Sequence, residues 1–388
     1  MMFRDTEDQV AIRNTVRMLM KQFPDEYWME KDSKEEFPEE FYSAFAEAGF
    51  LGASVPEEFD GSGLPLADVA AILQEISESG AGMAGASAVH MSMFGIQAII
   101  KHADSRLRGE ILPRILNGSL QICFGVTEPD AGTDTTRITT FARRDGEDYI
   151  IRGNKVWISK ALDADECLLL VRTAKIEDCA RPTDGMSLIL VPMKSAGIAV
   201  SPIPMLGRRS IAACEVVFED VRVPANRIVG EEGKGFRYLL ESLNAERILV
   251  AAEAVGLGRA ALAKAVRYAN ERQVFGRIIG QNQGVQFPLA DSYARLEAAD
   301  LAARKAAWLY DAGESCGAEA NTAKYLASEA AFEAADRAMQ TLGGFGYANE
   351  YHVERYFREA RLWRVAPVAQ NLILSFIAER VLGLPRSF

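Results

Sequence analysis

Tyr149-Ile-Ile-Arg-Gly-Asn-Lys-Val-Trp-Ile-Ser159 is the stretch whose reading decides the fold. It is rich in β-branched and aromatic residues, which favour a strand. Cys167-Leu-Leu-Leu-Val171, Met186-Ser-Leu-Ile-Leu-Val191 and Glu215-Val-Val-Phe218 have the same character, with glycine, proline and acidic clusters between them. Between Ile122 and about Ile228 the sequence therefore predicts a β domain.

Working outward, the period changes on both sides. Towards the N-terminus, from Glu7 to Gln121, apolar residues recur at steps of three and four, as in Ile12, Val16 and Leu19 or Phe41, Phe45 and Ala48. That spacing predicts packed helices, with loops at Pro56, Gly61 to Pro65 and Pro113 to Gly118. Towards the C-terminus, long helical patterns cover Phe236 to Gln273, Gly284 to Ala312 and Glu319 to Thr341, with a last segment ending near Leu382. Runs of one element type point to segregated domains, so the expectation is an α+β protein. It divides into a helical domain over 1–121, a β domain over 122–228 and a helical-bundle domain over 229–388.

Composition narrows the function. The 388 residues are 49% hydrophobic and 25% charged, ordinary for a globular protein. The 54 acidic against 43 basic residues give a net charge of -11, and no basic block tracks a phosphate backbone, which argues against nucleic acid. Five scattered cysteines without CxxC spacing, and only His90, His102 and His352 to join them, predict reduced thiols, a cytoplasmic setting and no metal. Met1 to Gln9 carries acids where an export signal has an apolar core. Ala81 to Ile100 lacks formal charge but is weakened by glycine, serine, His90 and Gln97, so it is expected to be an interior helix and not a membrane insertion.

Gly256-Leu-Gly258 and Gly230-Glu-Glu-Gly-Lys-Gly235 complete neither a dinucleotide fingerprint nor a phosphate loop. Close helix packing and a turn before a helix account for them. Glu246 shares a helical face with Leu239, Leu243, Val250, Ala254 and Leu257. Burial there would raise its pKa towards the range a carbon-acid base needs, unless a core salt bridge to Arg247 or another cation claims it. Phe124-Gly-Val-Thr-Glu-Pro-Asp-Ala-Gly-Thr-Asp134 is a loop whose amides could meet an anionic or heteroaromatic cofactor, or a simple turn.

Val126 to Asp134 resembles the first signature of the acyl-CoA dehydrogenase family. Gln340-Thr-Leu-Gly-Gly-Phe-Gly-Tyr347 with Tyr351-His-Val-Glu-Arg-Tyr-Phe-Arg358 resembles the second. Phe218 to Pro224, Gly230 to Phe236 and Arg272-Gln-Val-Phe-Gly276 fall between them in the family's order. The resemblance implies an N-terminal helical domain, a β-barrel-like middle domain and a C-terminal four-helix bundle. It also implies FAD, an acyl-CoA substrate, electron-transfer flavoprotein as acceptor and a homotetramer. By position, Phe124, Val126 and Thr127 would line the flavin, Thr133 would approach FAD and the substrate's pantetheine arm, and Trp157 and Ser159 would lie beside the isoalloxazine. Arg272, Phe275 and Gln283 match positions that reach the FAD diphosphate and adenosine. Gln340, Gly343 and Gly344 match positions contributed by an adjacent subunit, and Asn244 and Arg247 match the substrate side.

One departure matters. Most of the family places its catalytic glutamate nine residues after the counterpart of Arg358, where this chain has Pro367. Leu243-Asn-Ala-Glu-Arg247 instead resembles the arrangement of isovaleryl-CoA and long-chain acyl-CoA dehydrogenases, which implies Glu246 as the base. Pro367 also lacks the N–H that helps polarise the thioester carbonyl in the family. With small Ala366 and bulky Trp363 nearby, the expected reaction is α,β-dehydrogenation of a short, branched or cyclic acyl-CoA to a trans-2-enoyl-CoA. An enoyl-CoA reductase, an oxygen-using flavoenzyme and a non-catalytic thioester-binding protein are the alternatives.

Overall fold

The computed structural model describes residues 4–93 and 95–386. Residues 1–3 of the N-terminal stretch and Phe94 within Ala81 to Ile100 lie outside the described residues. The N-terminal third holds α1 (Glu7–Met20), α2 (Asp25–Lys34), α3 (Glu39–Glu47), α4 (Leu66–Ile76), α5 (Gly82–Met93), α6 (Gln97–His102) and α7 (Ser105–Leu116). Local chemistry sets several starts. Thr6 and Gln9 cap α1 reciprocally, and the Asp104 carboxylate accepts from Leu107 N–H at 2.7 Å at the head of α7.

The middle of the chain forms β1 (Ile122–Gly125), β2 (Phe141–Asp145), β3 (Asp148–Ser159), β4 (Glu166–Arg172), β5 (Met186–Pro192), β6 (Ile198–Pro202), β7 (Ala213–Pro224) and β8 (Ile228–Val229). They join one sheet in the order β6-β7-β3-β2-β4-β5-β8, with β1 parallel to β4 off this path. Strand β4 explains its own continuous apolar run. Leu168 and Leu170 enter a core shared with α6 and α7, while Cys167, Leu169 and Val171 enter a second core with β3, β5 and β7. A strand buried on both faces needs no polar alternation.

The chain then enters α8 (Gly235–Glu271), a short hairpin of β9 (Gln273–Val274) and β10 (Arg277–Ile278), α9 (Gln283–Asp311) and α10 (Gly317–Leu342). Two short helices follow, α11 (Val353–Ala360) and α12 (Gln370–Phe376). The three long helices begin and end within two residues of the sequence expectation. One large apolar core joins α1 to α5 with α8 to α11, so the two helical parts close on each other across the intervening sheet segment of sequence. Residues 66–102 form the one described helical run long and apolar enough to cross a membrane, but 71% of its apolar window is buried inside the protein.

Two glycines let α8 approach its neighbours. A Cβ on Gly256 would sit 2.3 Å from the Gln74 carbonyl oxygen, and one on Gly258 would sit 2.5 Å from Leu296 Cδ2 and 3.1 Å from Ala331 Cα. Gly235 likewise lies against Ser187 and Leu188 of β5, seating the head of α8 on the sheet. Alanine at 256 would improve helix propensity by about 1 kcal/mol, but the clash is with backbone and cannot be relieved by a rotamer change. Gly256→Ala is therefore expected to destabilise the fold by about 1–3 kcal/mol. Denaturant unfolding followed by far-UV circular dichroism measures it; a stabilised variant would contradict the packing described.

Candidate active site

Helix α8 carries Asn244, Glu246, Arg247 and, two turns further along, Glu253. Leu239, Val250, Ala254 and Leu257 on the Glu246 face are buried, as their spacing predicts. Glu246 itself is half-buried, and among the described residues its carboxylate has no hydrogen bond or ion pair. Burial pushes its pKa up; His90, Arg247 and Lys324 work against that from a distance, and Glu253 adds to it. The core salt bridge that would have claimed this carboxylate is not formed. Arg247 turns instead to Asn244, donating from Nη1 to Oδ1 at 3.2 Å, and its Nε is buried without a partner.

Charged groups from two other elements, α5 and α10, act on Glu246. His90 Nδ1 of α5 lies 2.6 Å from Glu253 Oε1. Burial alone would lower the His90 pKa, but the Glu253 and Glu246 carboxylates raise it overall. Lys324 of α10 donates to the Val368 carbonyl at 2.9 Å and to the Trp363 carbonyl, so it pins the loop that contains Pro367. Burial, assisted by Arg247, brings the Lys324 pKa down to about 8. The Val368 N–H has no partner among the described residues.

The sheet supplies a second wall. Between Lys155 and Ile158 the register of β3 against β7 shifts, and Trp157 takes a left-handed φ of 64°. Such a bulge re-aims a side chain, and Trp157 is left 58% exposed. Ser159, two residues on, accepts from Arg208 Nη2 at 2.9 Å. Phe124 and Val126 are half-buried against the core beneath the sheet, the Thr127 carbonyl accepts from Val156 N–H at 2.9 Å, and Thr133 is exposed at the loop's far end.

A separate cleft of about 510 Å³ is lined by Tyr268, Arg272, Gly343, Gly344 and Phe345, among others. The Arg272 guanidinium lies 5.6 Å from the centre of the Phe345 ring. A Cβ on Gly343 or Gly344 would meet nothing within 4 Å, so packing inside the chain does not explain why both positions lack a side chain. Gln340 and Gln283 are exposed, and Phe275, at a φ of 52°, is fully exposed. A guanidinium without an ion pair among the described residues, bare glycine backbone and flat aromatic surface suit a diphosphate and a heteroaromatic ring, so these residues fit part of FAD. The sequence reading assigned only Gln340, Gly343 and Gly344 to a neighbour's cofactor. The structure puts Arg272 in one cleft with Gly343 and Gly344.

His90, Glu253, Arg208 and Lys324 were not among the residues the sequence singled out for the site. Glu253 had a visible signal, since seven residues return a helix to the same face. Arg208 and Lys324 had none, because only the fold brings a β-domain loop and α10 to α8.

The loop 126–134 is held by a buried ion pair. Lys155 Nζ donates to Glu128 Oε1 at 2.9 Å, while Thr139 N–H and Thr140 N–H donate to the same carboxylate at 2.6 and 2.9 Å. Burial would raise the Glu128 pKa, but Lys155 and these donors outweigh it and hold the group at about 2. The folded value lies below the ordinary 4.5. The stabilisation is thus complete above that ordinary value and is lost as pH falls towards about 2. Glu128→Gln leaves the Lys155 charge uncompensated and is expected to cost about 3–5 kcal/mol at neutral pH. Unfolding measured from pH 7 downwards should show the wild type losing stability through this acid window and the variant lacking that slope.

The chain's likeness to known proteins follows the same three-part division. Residues 6–119 match the acyl-CoA dehydrogenase N-terminal domain, 123–221 the middle domain and 233–382 the C-terminal domain. The acyl-CoA dehydrogenase FadE12 of Mycobacterium tuberculosis is 38% identical over 391 residues, with 100% of this chain and 99% of that protein covered. A glutaryl-coenzyme A dehydrogenase in complex with glutaryl-CoA superposes with a TM-score of 0.92 at 30% identity, over 100% of this chain and 98% of its own. PigA with FAD and proline superposes with a TM-score of 0.93 at 26% identity, over 99% and 100% of the two chains. With a half-buried, unpaired carboxylate on α8 facing this background, the chain belongs to the acyl-CoA dehydrogenase family of flavin-dependent oxidoreductases acting on CH–CH bonds.

Proposed function

We propose that this protein oxidises the Cα–Cβ bond of a short, branched or cyclic acyl-CoA to the trans-2-enoyl thioester, with Glu246 as the base. The observation that carries the reading is the half-buried Glu246 carboxylate, bound to no cation among the described residues. A raised pKa makes it basic enough to take a weakly acidic Cα proton. FAD, when bound, supplies the acceptor for the hydrogen and two electrons that leave Cβ. The proton stays on Glu246 until solvent removes it.

The remaining residues hold and orient. Phe124, Val126, Thr127, Trp157 and Ser159 would border the isoalloxazine, and Thr133, Asn244 and Arg247 the thioester arm. Arg272, Phe275, Gln283, Gln340, Gly343 and Gly344 together would grip the diphosphate and adenosine of a neighbouring subunit's FAD, a grouping supported by the cleft that Arg272 shares with the two glycines. A homotetramer is supported by α9, where Phe287, Ala294, Leu301 and Trp308 repeat every seven residues and are all exposed. Relatives solved with FAD and with glutaryl-CoA support the cofactor and thioester class. Electron-transfer flavoprotein as acceptor, a cytoplasmic setting and the domain division 1–121, 122–228 and 229–388 complete the reading.

One bond supports the short-chain part of the reading. The His90–Glu253 contact ties α5 to α8 seven residues beyond Glu246, about 10 Å along the helix. A floor at that contact would suit a short acyl group. For the carbonyl, the Val368 N–H, unpartnered among the described residues, would replace the donor that Pro367 lacks, with Lys324 holding the following peptide by the Val368 carbonyl.

Glu246→Gln is expected to lower kcat by about 10²–10⁴ while the protein stays yellow. In the wild type the acid limb of the rate profile should lie above the ordinary carboxylate range, because the base works only when deprotonated. Steady-state turnover with a panel of acyl-CoAs checks both; undiminished turnover by the variant places the base elsewhere. Val368→Pro removes the backbone donor and should cost about 10²–10³ in kcat with FAD content preserved. Single-turnover flavin bleaching reads that loss, and an unchanged rate rules out Val368 as the donor.

A further inference from the structure

Burying a cation is costly unless something compensates it, and the buried cations here show what compensation looks like. Arg13, Lys155, Arg227 and Arg355 meet carboxylates. Arg172 and Lys324 meet several backbone carbonyls. Lys160 meets the Ala88 carbonyl and the faces of Phe37 and Tyr42. Among the described buried cations, Arg208 alone rests only on hydroxyls, donating to Ser87 Oγ at 3.3 Å and to Ser159 Oγ at 2.9 Å.

Its surroundings do not neutralise it. Glu253 and Glu359 are the carboxylates close enough to act on Arg208. Glu253 is bonded to His90, and Glu359 to the Met83 N–H and Arg355. Arg208 Nε is buried with no partner, and the residue holds a left-handed φ of 58°. Burial lowers its pKa only to about 10, so the guanidinium stays charged at neutral pH. A serine oxygen that accepts from a guanidinium keeps its own hydrogen free to donate onward. Ser159 can therefore pass the positive field of Arg208 to whatever lies in front of β3, beside exposed Trp157.

We propose that Arg208 is a positioning residue that acts through Ser159 Oγ on bound FAD, favouring the reduced cofactor over the oxidised one. Electrons arriving on the ring bring negative charge, and an uncompensated cation one hydrogen bond behind the contacting hydroxyl stabilises that charge. The inference rests on the reading of Ser159 as flavin-facing. It adds a residue on a β-domain loop that orients and polarises without touching the substrate.

The test is the midpoint potential of bound FAD, measured anaerobically by dye equilibration without acyl-CoA. Arg208→Gln should shift the reduced-to-oxidised equilibrium about tenfold towards oxidised, close to 30 mV for a two-electron couple. Arg208→Lys should retain most of the wild-type value. Ser159→Ala should lower the potential too, and adding Arg208→Gln to it should change little more. An unchanged potential in Arg208→Gln, or the full drop in the Ser159→Ala background, overturns the proposal, as does a rise in KM for acyl-CoA with the potential unmoved. Should Arg208→Gln fail to fold, Ser159→Ala at the wild-type potential is enough to overturn it. A wild-type protein that binds no FAD instead sinks the flavin reading itself, and turnover by Glu246→Gln bears only on the base.

Discussion

A half-buried carboxylate with no bonded partner among the described residues is the constraint on which the site depends. Unpaired burial is unfavourable for a charge, and the free energy that holds Glu246 there comes from packing elsewhere on α8. Over 37 residues that helix touches α4, α5, α9 and α10, and its head rests on β5. Gly235, Gly256 and Gly258 permit those approaches, so the backbone carrying Glu246 is fixed from its first turn to its middle. A base held in this way keeps its raised pKa, because burial outweighs the pull of His90, Arg247 and Lys324.

The rest of the electrostatic arrangement follows a division of labour. Where charge serves only the scaffold, it is compensated: Glu128 with Lys155 beneath the 126–134 loop, Asp32 with Arg358 between α2 and α11, Glu75 with Arg13 and Arg17 between α4 and α1. Where charge borders the space between α8, α5, β3 and the 363–368 loop, compensation is incomplete. Among the described residues, Glu246 lacks an ion-pair partner, Arg247 Nε lacks an acceptor and Arg208 hydrogen-bonds only to hydroxyls. Incomplete compensation of several charges around one helix is what a site awaiting ligand groups looks like.

The proposed subunit contacts connect to the same economy of surface. The cleft at Arg272 and Phe345 opens outward, and the α9 stripe from Phe287 to Trp308 leaves large apolar side chains in water. Exposed apolar area at heptad spacing is stabilised when a second helix covers it. A cofactor gripped partly by a neighbour would then bind only as firmly as the subunits associate, which couples assembly to cofactor retention.

By itself, the sequence determined the order of helix, sheet and helix, the three long C-terminal helices, the apolar face that carries Glu246, and the family signatures at Val126 to Asp134 and Gln340 to Tyr347. Those are local quantities, carried by periodicity and short motifs that survive without knowing what packs on what. Tertiary structure alone decided that Glu246 escapes Arg247, that His90 meets Glu253, that Lys324 holds the loop around Pro367 and that Arg208 reaches Ser159. Each of those contacts joins residues 39 or more positions apart, apart from the turning away of Arg247 towards Asn244. Charge pairing depends on distances of a few ångströms between separate elements, and no periodicity within one element encodes them.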